Sequence, residues 1–361
     1  PWSSEVRPLG RLQQSGRPGA AVGRFARNLA GQDWLMAIYV LVLLGAVLHG
    51  SGPRRGAAIS GLLMDFVGLA SVLILVRGEI LKPSGFASLI YRFALMGSLL
   101  GSFFQLQYVL PTATHYALDA QIYSLDKAVF GFEPAEVWDR FVTPATTDWF
   151  SFFYYGYFLI LAAHVLPFMF FARDMEIFGE FSFGILFLFC VGHTVYLLVP
   201  GYGPYLYLAG HFHHALNGPF FWRLVKETVD SVDGAARKDI FPSLHTAAPT
   251  FLALFSFRHR RAMPFKLTWP LLAVFASQII IATMFLRWHY LIDICAGITL
   301  AGSSVLLART VAAREHRKRE KFRLPPLWTP LSFTRTVAIA QELPLPVNAA
   351  DQGPREQRRL G

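Results

Sequence analysis

Two short stretches of this sequence carry residue types that can take part in phosphoryl transfer. In residues 241–246 (FPSLHT), Ser243 is a good N-cap, which predicts a helix start whose free N–H groups attract an anion. His245 lies on the first turn of that helix. In residues 287–293 (RWHYLID), His289 and Asp293 are four residues apart and share one helix face. The carboxylate can accept the Nδ1 proton of the imidazole and leave Nε2 with its lone pair.

Each stretch also has a purely structural interpretation. The first would be a capped helix with an incidental polar histidine, and the second a helix-stabilising pair near a membrane interface. Chemistry is favoured because an acid inside an apolar segment is costly and is a functional candidate by default. Phosphoryl transfer through a histidine needs a nucleophile, an orienting carboxylate, an acid for the leaving oxygen and positive groups around the phosphate. The two stretches supply a candidate for each of these roles.

The composition predicts a polytopic membrane protein. Of the 361 residues 54% are hydrophobic and only 16% are charged, whereas about a quarter of the residues of a soluble domain are charged. Two cysteines exclude a disulfide scaffold. The net charge of +10 does not indicate nucleic-acid binding, because the basic residues cluster at the chain ends and in one short loop beside apolar runs.

Eight apolar segments position the two stretches. Six of them have 17 residues or more, which suits a bilayer core about 30 Å thick: 34–50, 57–76, 86–110, 149–172, 177–199 and 267–286. Segment 291–308 contains Asp293. Segment 244–257 has only 14 residues, which is short for a span, so it could be a re-entrant or core helix. We count it as a span because a basic loop follows it. Since the backbone in lipid must satisfy its own hydrogen bonds, the fold class is an all-α polytopic bundle of about eight transmembrane helices.

Charge in the loops predicts which way the bundle faces. The basic loop 258–266 and the basic run 309–323 fall on the same side as the Arg-bearing N-terminus, so that side is expected to be cytoplasmic, although Arg54 and Arg55 fall on the other side. The long loops 111–148 and 200–242 then face outward. His245 and His289, 44 residues apart, arrive at the same outer face because one segment runs inward from the first and the next returns to the second.

Three regions follow along the chain. We expect a flexible cytoplasmic segment over residues 1–33 and a transmembrane catalytic domain over residues 34–308. Residues 309–361 are expected to form a basic and then Pro-rich cytoplasmic tail that is disordered.

The two stretches resemble known signatures. FPSLHT followed by RWHYLIDICAG is similar to the second and third signatures of the type 2 phosphatidic acid phosphatase superfamily. PSLH and the pattern HYxxDxxAG are most similar to the inositol phosphorylceramide synthase and sphingomyelin synthase branch, an inositolphosphotransferase-like branch. Residues 125–131 and the PGYGP stretch at 200–204 are also similar to that branch, so the resemblance covers residues 119–308.

The resemblance implies a six-helix catalytic core and a role for each of three residues. His289 would match the family's nucleophile, which forms a phosphohistidine intermediate. Asp293 would match the orienting acid, and His245 the general acid that protonates the leaving oxygen. The family implies that neither a metal nor a cofactor is needed.

The sequence departs from the phosphatase signatures where these supply cations. The signature KxxxxxxRP is missing, because the only Arg-Pro pairs lie at positions 7–8 and 17–18 with no Lys before them. Ala282 and Thr283 stand where the phosphatases have Ser-Arg. A phosphate monoester dianion needs more neutralisation than a diester monoanion, so these losses favour diester transfer. The candidate substrate- and phosphate-binding residues are Ser243, Arg287, Lys238, Arg237, Tyr202 and Gly203. Arg287 could equally be an interface anchor.

The sequence therefore predicts a membrane lipid phosphotransferase that moves an inositol-phosphate-like head group from a lipid to a hydroxyl acceptor. One alternative is a lipid phosphate or polyprenyl phosphate phosphatase of the same superfamily. Another is a non-catalytic membrane transporter or scaffold. The expected partners are a lipid substrate, a hydroxyl acceptor and the bilayer, with no nucleic acid. The expected location is the plasma membrane, with the site on its extracytoplasmic side.

Overall fold

The computed structural model describes residues 18–232 and 238–331, and these form an all-helical bundle. Seven of its helices are long and apolar enough to cross a membrane: α2, α3, α4, α7, α8, α12 and α13. The predicted all-α polytopic fold is therefore confirmed. In chain order the α-helices are α1 (Pro18–Asn28), α2 (Gly31–His49), α3 (Arg55–Arg77), α4 (Gly85–Ala113), α5 (Asp119–Phe130), α6 (Pro134–Trp138), α7 (Pro144–Phe171), α8 (Met175–Leu198), α9 (Pro204–Tyr207), α10 (Phe221–Val232), α11 (Leu244–Arg258), α12 (Phe265–Phe285) and α13 (Leu291–Phe322).

The eighth apolar segment forms the short helix α11, which lies among α7, α8, α12 and α13. Its 15 residues extend over roughly 22 Å, less than a bilayer core of about 30 Å. It lies close to its neighbours because glycines face it. A Cβ at Gly192 of α8 would lie 2.5 Å from the Leu244 side chain, and one at Gly297 of α13 would lie 2.6 Å from the Ser243 carbonyl oxygen. The core-helix alternative for segment 244–257 therefore describes α11 better than a full-length span.

The two ends of the bundle differ in charge. At one end, here called the basic end, Arg258 pairs with Glu180 at 2.6 Å and Arg77 with Asp33 at 2.7 Å. At the other end, here called the site end, α11 and α13 begin and α4 and α8 end. Chain connectivity alternates between these two ends, so both stretches singled out in the sequence lie at the site end.

The region boundaries differ from those expected. Helix α13 runs to Phe322 rather than ending near residue 308, and α1 occupies part of the segment expected to be flexible. The extension is held because Arg319 pairs with Glu315 at 2.8 Å and donates to the Asn28 carbonyl at 2.8 Å. After the helix, Trp328 is buried and its ring lies 4.7 Å from that of Phe178. The tail is thus packed on the bundle as far as residue 331; residues 1–17 and 332–361 lie outside the described residues.

Glycine at position 297 lets α13 approach α11, and this contact generates the first prediction. Replacing Gly297→Ala puts a methyl group against the Ser243 carbonyl, which cannot move without moving α11. We expect a loss of about 1–3 kcal/mol of stability, measured as a lower thermal midpoint in detergent by fluorescence-detected size exclusion. The matched control is Gly302→Ala on the same helix, where a Cβ meets nothing within 4 Å. Equal midpoints for the two variants would contradict this packing.

Candidate active site

The structure brings His245 and His289 together at the site end. The centroids of their rings are 6.4 Å apart. This follows from how α11 and α13 begin side by side: the Ser243 N–H donates to the Asp293 carbonyl oxygen at 3.1 Å. The close approach at Gly297 keeps the two helix starts in that register. Two imidazoles that are far apart in the chain therefore lie close together at the site end.

Asp293 lies directly behind His289. Its Oδ2 is 3.4 Å from His289 Nδ1 and accepts the Tyr290 N–H at 2.9 Å. The carboxylate is fully buried and His289 is only 5% exposed. A distance of 3.4 Å is long for a hydrogen bond. The arrangement holds Nδ1 toward the carboxylate.

Burial keeps the His289 imidazole uncharged at neutral pH. It lowers the pKa of His289 to about 4, although the Ile240 carbonyl that hydrogen-bonds the ring acts in the opposite direction. His289 lies in the short connection between α12 and α13. At neutral pH its ring is therefore uncharged and carries a free lone pair, the form that can attack phosphorus.

Aromatic rings from α7 hold His245. Tyr154 stacks on its imidazole at 4.4 Å with 11° between the planes, and the Tyr157 ring is 4.3 Å away. Trp288 stacks in turn on Tyr154 at 6.1 Å. His245 Nε2 is buried and has no hydrogen-bond partner within the described part of the chain. This nitrogen is thus free to bind an oxygen of a substrate. Sequence reasoning missed Tyr154 and Tyr157, because 15% of the residues are aromatic and none stands out.

The cations expected near the phosphate are engaged elsewhere. Arg287 pairs with Asp139 at 2.7 Å, donates to the His214 carbonyl at 2.6 Å and stacks on Phe212. Lys238 Nζ donates to the carbonyl oxygens of two loop residues, Thr114 at 2.8 Å and Tyr116 at 3.2 Å. Both side chains therefore fasten the outer loops. Lys238 contacts neutral carbonyls, so its charge is not cancelled by these contacts. Arg237 lies outside the described residues.

The remaining predicted substrate-binding residues shape the backbone around the site. Ser243 Oγ accepts the Thr246 N–H at 3.2 Å and is fully buried, as an N-cap should be. The N–H groups of Tyr202 and Gly203 donate to the Asp119 carboxylate at 2.9 and 2.8 Å. Gly203 has φ +82°, and a Cβ there would lie 2.4 Å from the Trp288 carbonyl oxygen. Their binding of substrate stays a prediction.

Asp119 is a residue that sequence reasoning missed. Besides the two N–H groups of the PGYGP stretch, it accepts the hydroxyl of Tyr290 at 3.1 Å. It therefore ties this stretch to the start of α13, next to His289. Asp119 lies at the edge of the region of resemblance, outside the two signature stretches, so no sequence pattern indicated this role.

The comparisons with known proteins agree with this geometry. The family model described as PAP2 superfamily matches residues 120–307, which is just over half of the chain. No curated protein and no solved structure matches. The matched region begins in α5 and ends within α13, so it contains His245, His289 and Asp293. The chain therefore belongs to the PAP2 superfamily, and it is a multi-pass membrane protein of the lipid phosphatase or phosphotransferase type.

Proposed function

We propose that this protein is a lipid phosphotransferase that moves a phosphoryl-linked head group, such as inositol phosphate, from a donor lipid to a hydroxyl acceptor. The observation that carries the proposal is the placement of two imidazoles 6.4 Å apart with Asp293 behind His289. This arrangement offers a nucleophile and a proton donor to a single phosphorus atom. The finer assignment to the inositol phosphorylceramide synthase branch rests on the sequence resemblance alone.

The mechanism has two displacement steps. In the first, His289 Nε2 attacks the phosphorus of the donor diester, the P–N bond forms and the bond to the leaving lipid alkoxide breaks. Burial lowers the pKa of His245 to about 3, so this ring takes up its proton together with the anionic diester, whose charge stabilises the imidazolium. His245 then gives that proton to the leaving oxygen, which departs as an alcohol. In the second, the acceptor hydroxyl gives its proton back to His245 and attacks phosphorus, and the P–N bond breaks. Asp293 holds the His289 tautomer and stabilises the positive charge that the ring acquires.

The charge around the site favours a diester. The Arg287 guanidinium is compensated by Asp139, and Lys238, whose hydrogen bonds go to neutral carbonyls, is attracted by the charge of Asp119. With both cations compensated in this way, the site suits the one negative charge of a phosphodiester better than a larger charge. A phosphate monoester carries up to two negative charges, which would need a second cation in a buried site.

The side of the membrane follows from the charge of the loops. The basic loop after α11 and the basic C-terminal part of α13 lie at the basic end. Because positive loops remain in the cytoplasm, the site end would face outward, with the plasma membrane as the expected location. The donor and acceptor lipids would then come from the outer leaflet.

A lipid phosphate or polyprenyl phosphate phosphatase is the second candidate, and membership of a superfamily of phosphatase-type enzymes favours it. In that reaction water takes the place of the acceptor hydroxyl. For the transferase we expect the purified protein to form a new phosphodiester lipid when an acceptor alcohol is added. Lipid mass spectrometry of cells with and without the chain would first identify the substrate. Release of inorganic phosphate at a rate that an added acceptor does not change would favour the phosphatase.

Substitution of the site residues tests the catalytic roles. His289→Ala removes the nucleophile and Asp293→Asn favours the wrong tautomer, so we expect turnover to fall by at least about 10³-fold in both. The measurement is product formation by equal amounts of protein in nanodiscs. The matched control is His316→Ala, an exposed histidine on α13 whose recorded side-chain partner is Glu320. Wild-type turnover by His289→Ala would end the assignment.

The pH dependence tests the state of His289. Because burial lowers the pKa of this imidazole to about 4, the ring stays neutral until the solution is more acidic than that. Acidification then protonates Nε2 and removes the attacking lone pair, so kcat/KM should fall as the pH drops through about 4. An ordinary histidine would produce this fall near pH ~6.5. A limb at the ordinary value, in initial rates of the wild type, would show that His289 is not the buried nucleophile.

A further inference from the structure

The first turn of α13 receives its hydrogen-bond acceptors from another helix. The N–H groups of Leu291 and Ile292 donate to the two carboxylate oxygens of Asp126 at 2.7 and 2.8 Å. Asp126 belongs to α5 and is fully buried. Tyr290, in the N-cap position of α13, makes no side-chain cap. Asp126 therefore acts as the cap for the helix that begins directly after His289.

A second buried carboxyl group lies against Asp126. Glu133 precedes α6 and is fully buried, and its Oε1 accepts the Ala135 N–H at 3.1 Å. Its Oε2 is buried and meets no donor among the residues that the structure describes. The Asp126 carboxyl lies beside it, close enough for the two carboxyl groups to interact directly. Two carboxyl groups can form a hydrogen bond only when one of them holds a proton.

The proton belongs on Glu133. Both oxygens of Asp126 already accept backbone N–H groups at a helix N-terminus, where the dipole favours a negative charge. Glu133 has an oxygen to spare for a proton. Burial, the direct interaction with Asp126 and the negative charges of Asp126 and Asp293 raise the pKa of Glu133 to about 9. The other titratable groups facing this cluster are Tyr290, Asp119 and, beside Asp126, Cys295.

We infer that Glu133 and Asp126 share one proton, and that this carboxyl pair positions His289 and Asp293 by holding the first turn of α13. Glu133 lies against Asp126, and Asp126 accepts the first N–H groups of α13. The same turn of α13 carries Asp293, which lies behind the His289 imidazole. Neither residue touches the reacting atoms, so both are positioning residues. Their effect on turnover rests on the proposed function; the shared proton does not.

The pair has a built-in alkaline limit. When Glu133 loses its proton, two adjacent buried carboxylates repel each other and Asp126 can no longer keep both N–H groups of α13. A displacement of about 1 Å at a catalytic group can cost about 10²-fold in rate. The wild-type kcat should therefore fall as the pH rises through about 9, the pKa of Glu133.

Three variants of the full-length protein in nanodiscs test the pair. Glu133→Gln keeps an N–H donor toward Asp126 and an acceptor for Ala135 but cannot ionise, so it should retain kcat at neutral pH and lose the alkaline limb. Asp126→Asn removes one acceptor for α13, so kcat should fall about 10²-fold while KM changes less than about threefold. The matched control is Glu136→Gln on α6, whose carboxylate pairs with Lys127 and His211 in the outer loop. It should keep the wild-type profile.

Infrared spectroscopy gives a readout that does not depend on activity. The wild type and Glu136→Gln should show the carbonyl stretch of a buried protonated carboxyl group, and the band should disappear as the pH rises through about 9. The component of this band that titrates near pH 9 should be absent in Glu133→Gln. An unchanged band in Glu133→Gln, or an alkaline limb that survives this substitution, would overturn the inference. If the wild type transfers no lipid head group, the proposed function fails while the infrared titration still decides the shared proton.

Discussion

Backbone donors at a buried helix start must find acceptors, and the first turn of α13 finds them in carboxylates. A buried N–H without a partner costs as much as a lost hydrogen bond. Asp293 takes the N–H of Tyr290, and Asp126 takes the next two. The acids that satisfy the helix also surround His289 with negative charge. One set of side chains therefore fixes the position of His289 and, in the proposed transfer, would stabilise the cation that this ring becomes.

The outer loops follow the same rule with the charges reversed. Arg287 and Lys238 look in the sequence like free cations beside an anion site, but their N–H groups are taken by Asp139 and by loop carbonyls. Arg287 also has a positive φ of 65°, a strained conformation that its contacts maintain. Arg287 and Lys238 thus hold the loops at the site end in place and add little free positive charge to the site. A site built in this way suits a singly charged ester.

Much of this arrangement could be predicted from the sequence. The features that could not be predicted depend on contacts between residues far apart in the chain. Hydropathy predicted the long helices because apolar length alone decides which segments fit a bilayer. The spacing of His289 and Asp293 predicted their pairing because both lie within one helix turn. The partner of Arg287 is 148 residues away, and the packing of Trp328 depends on aromatic rings from α4 and α8. No local pattern encodes such contacts, so the tail looked like a disordered, Pro-rich segment. We also counted segment 244–257 as a membrane span. It forms the short helix α11, and a helix enclosed by protein need not match the thickness of the lipid.

Helices α2 to α4 lie outside the region that the family model matches, yet they are joined to α13. At the basic end Arg319 donates to Asn28, whose side chain donates to the Arg77 carbonyl at 2.8 Å, and Arg77 pairs with Asp33. Buried ion pairs add little net stability, since desolvation offsets their attraction, but they admit few alternative arrangements. A helix of 32 residues is thereby fixed at its far end by this network and at its start by carboxylates. Fixing both ends prevents α13 from sliding or rotating against α11, and that register is what keeps the two imidazoles 6.4 Å apart.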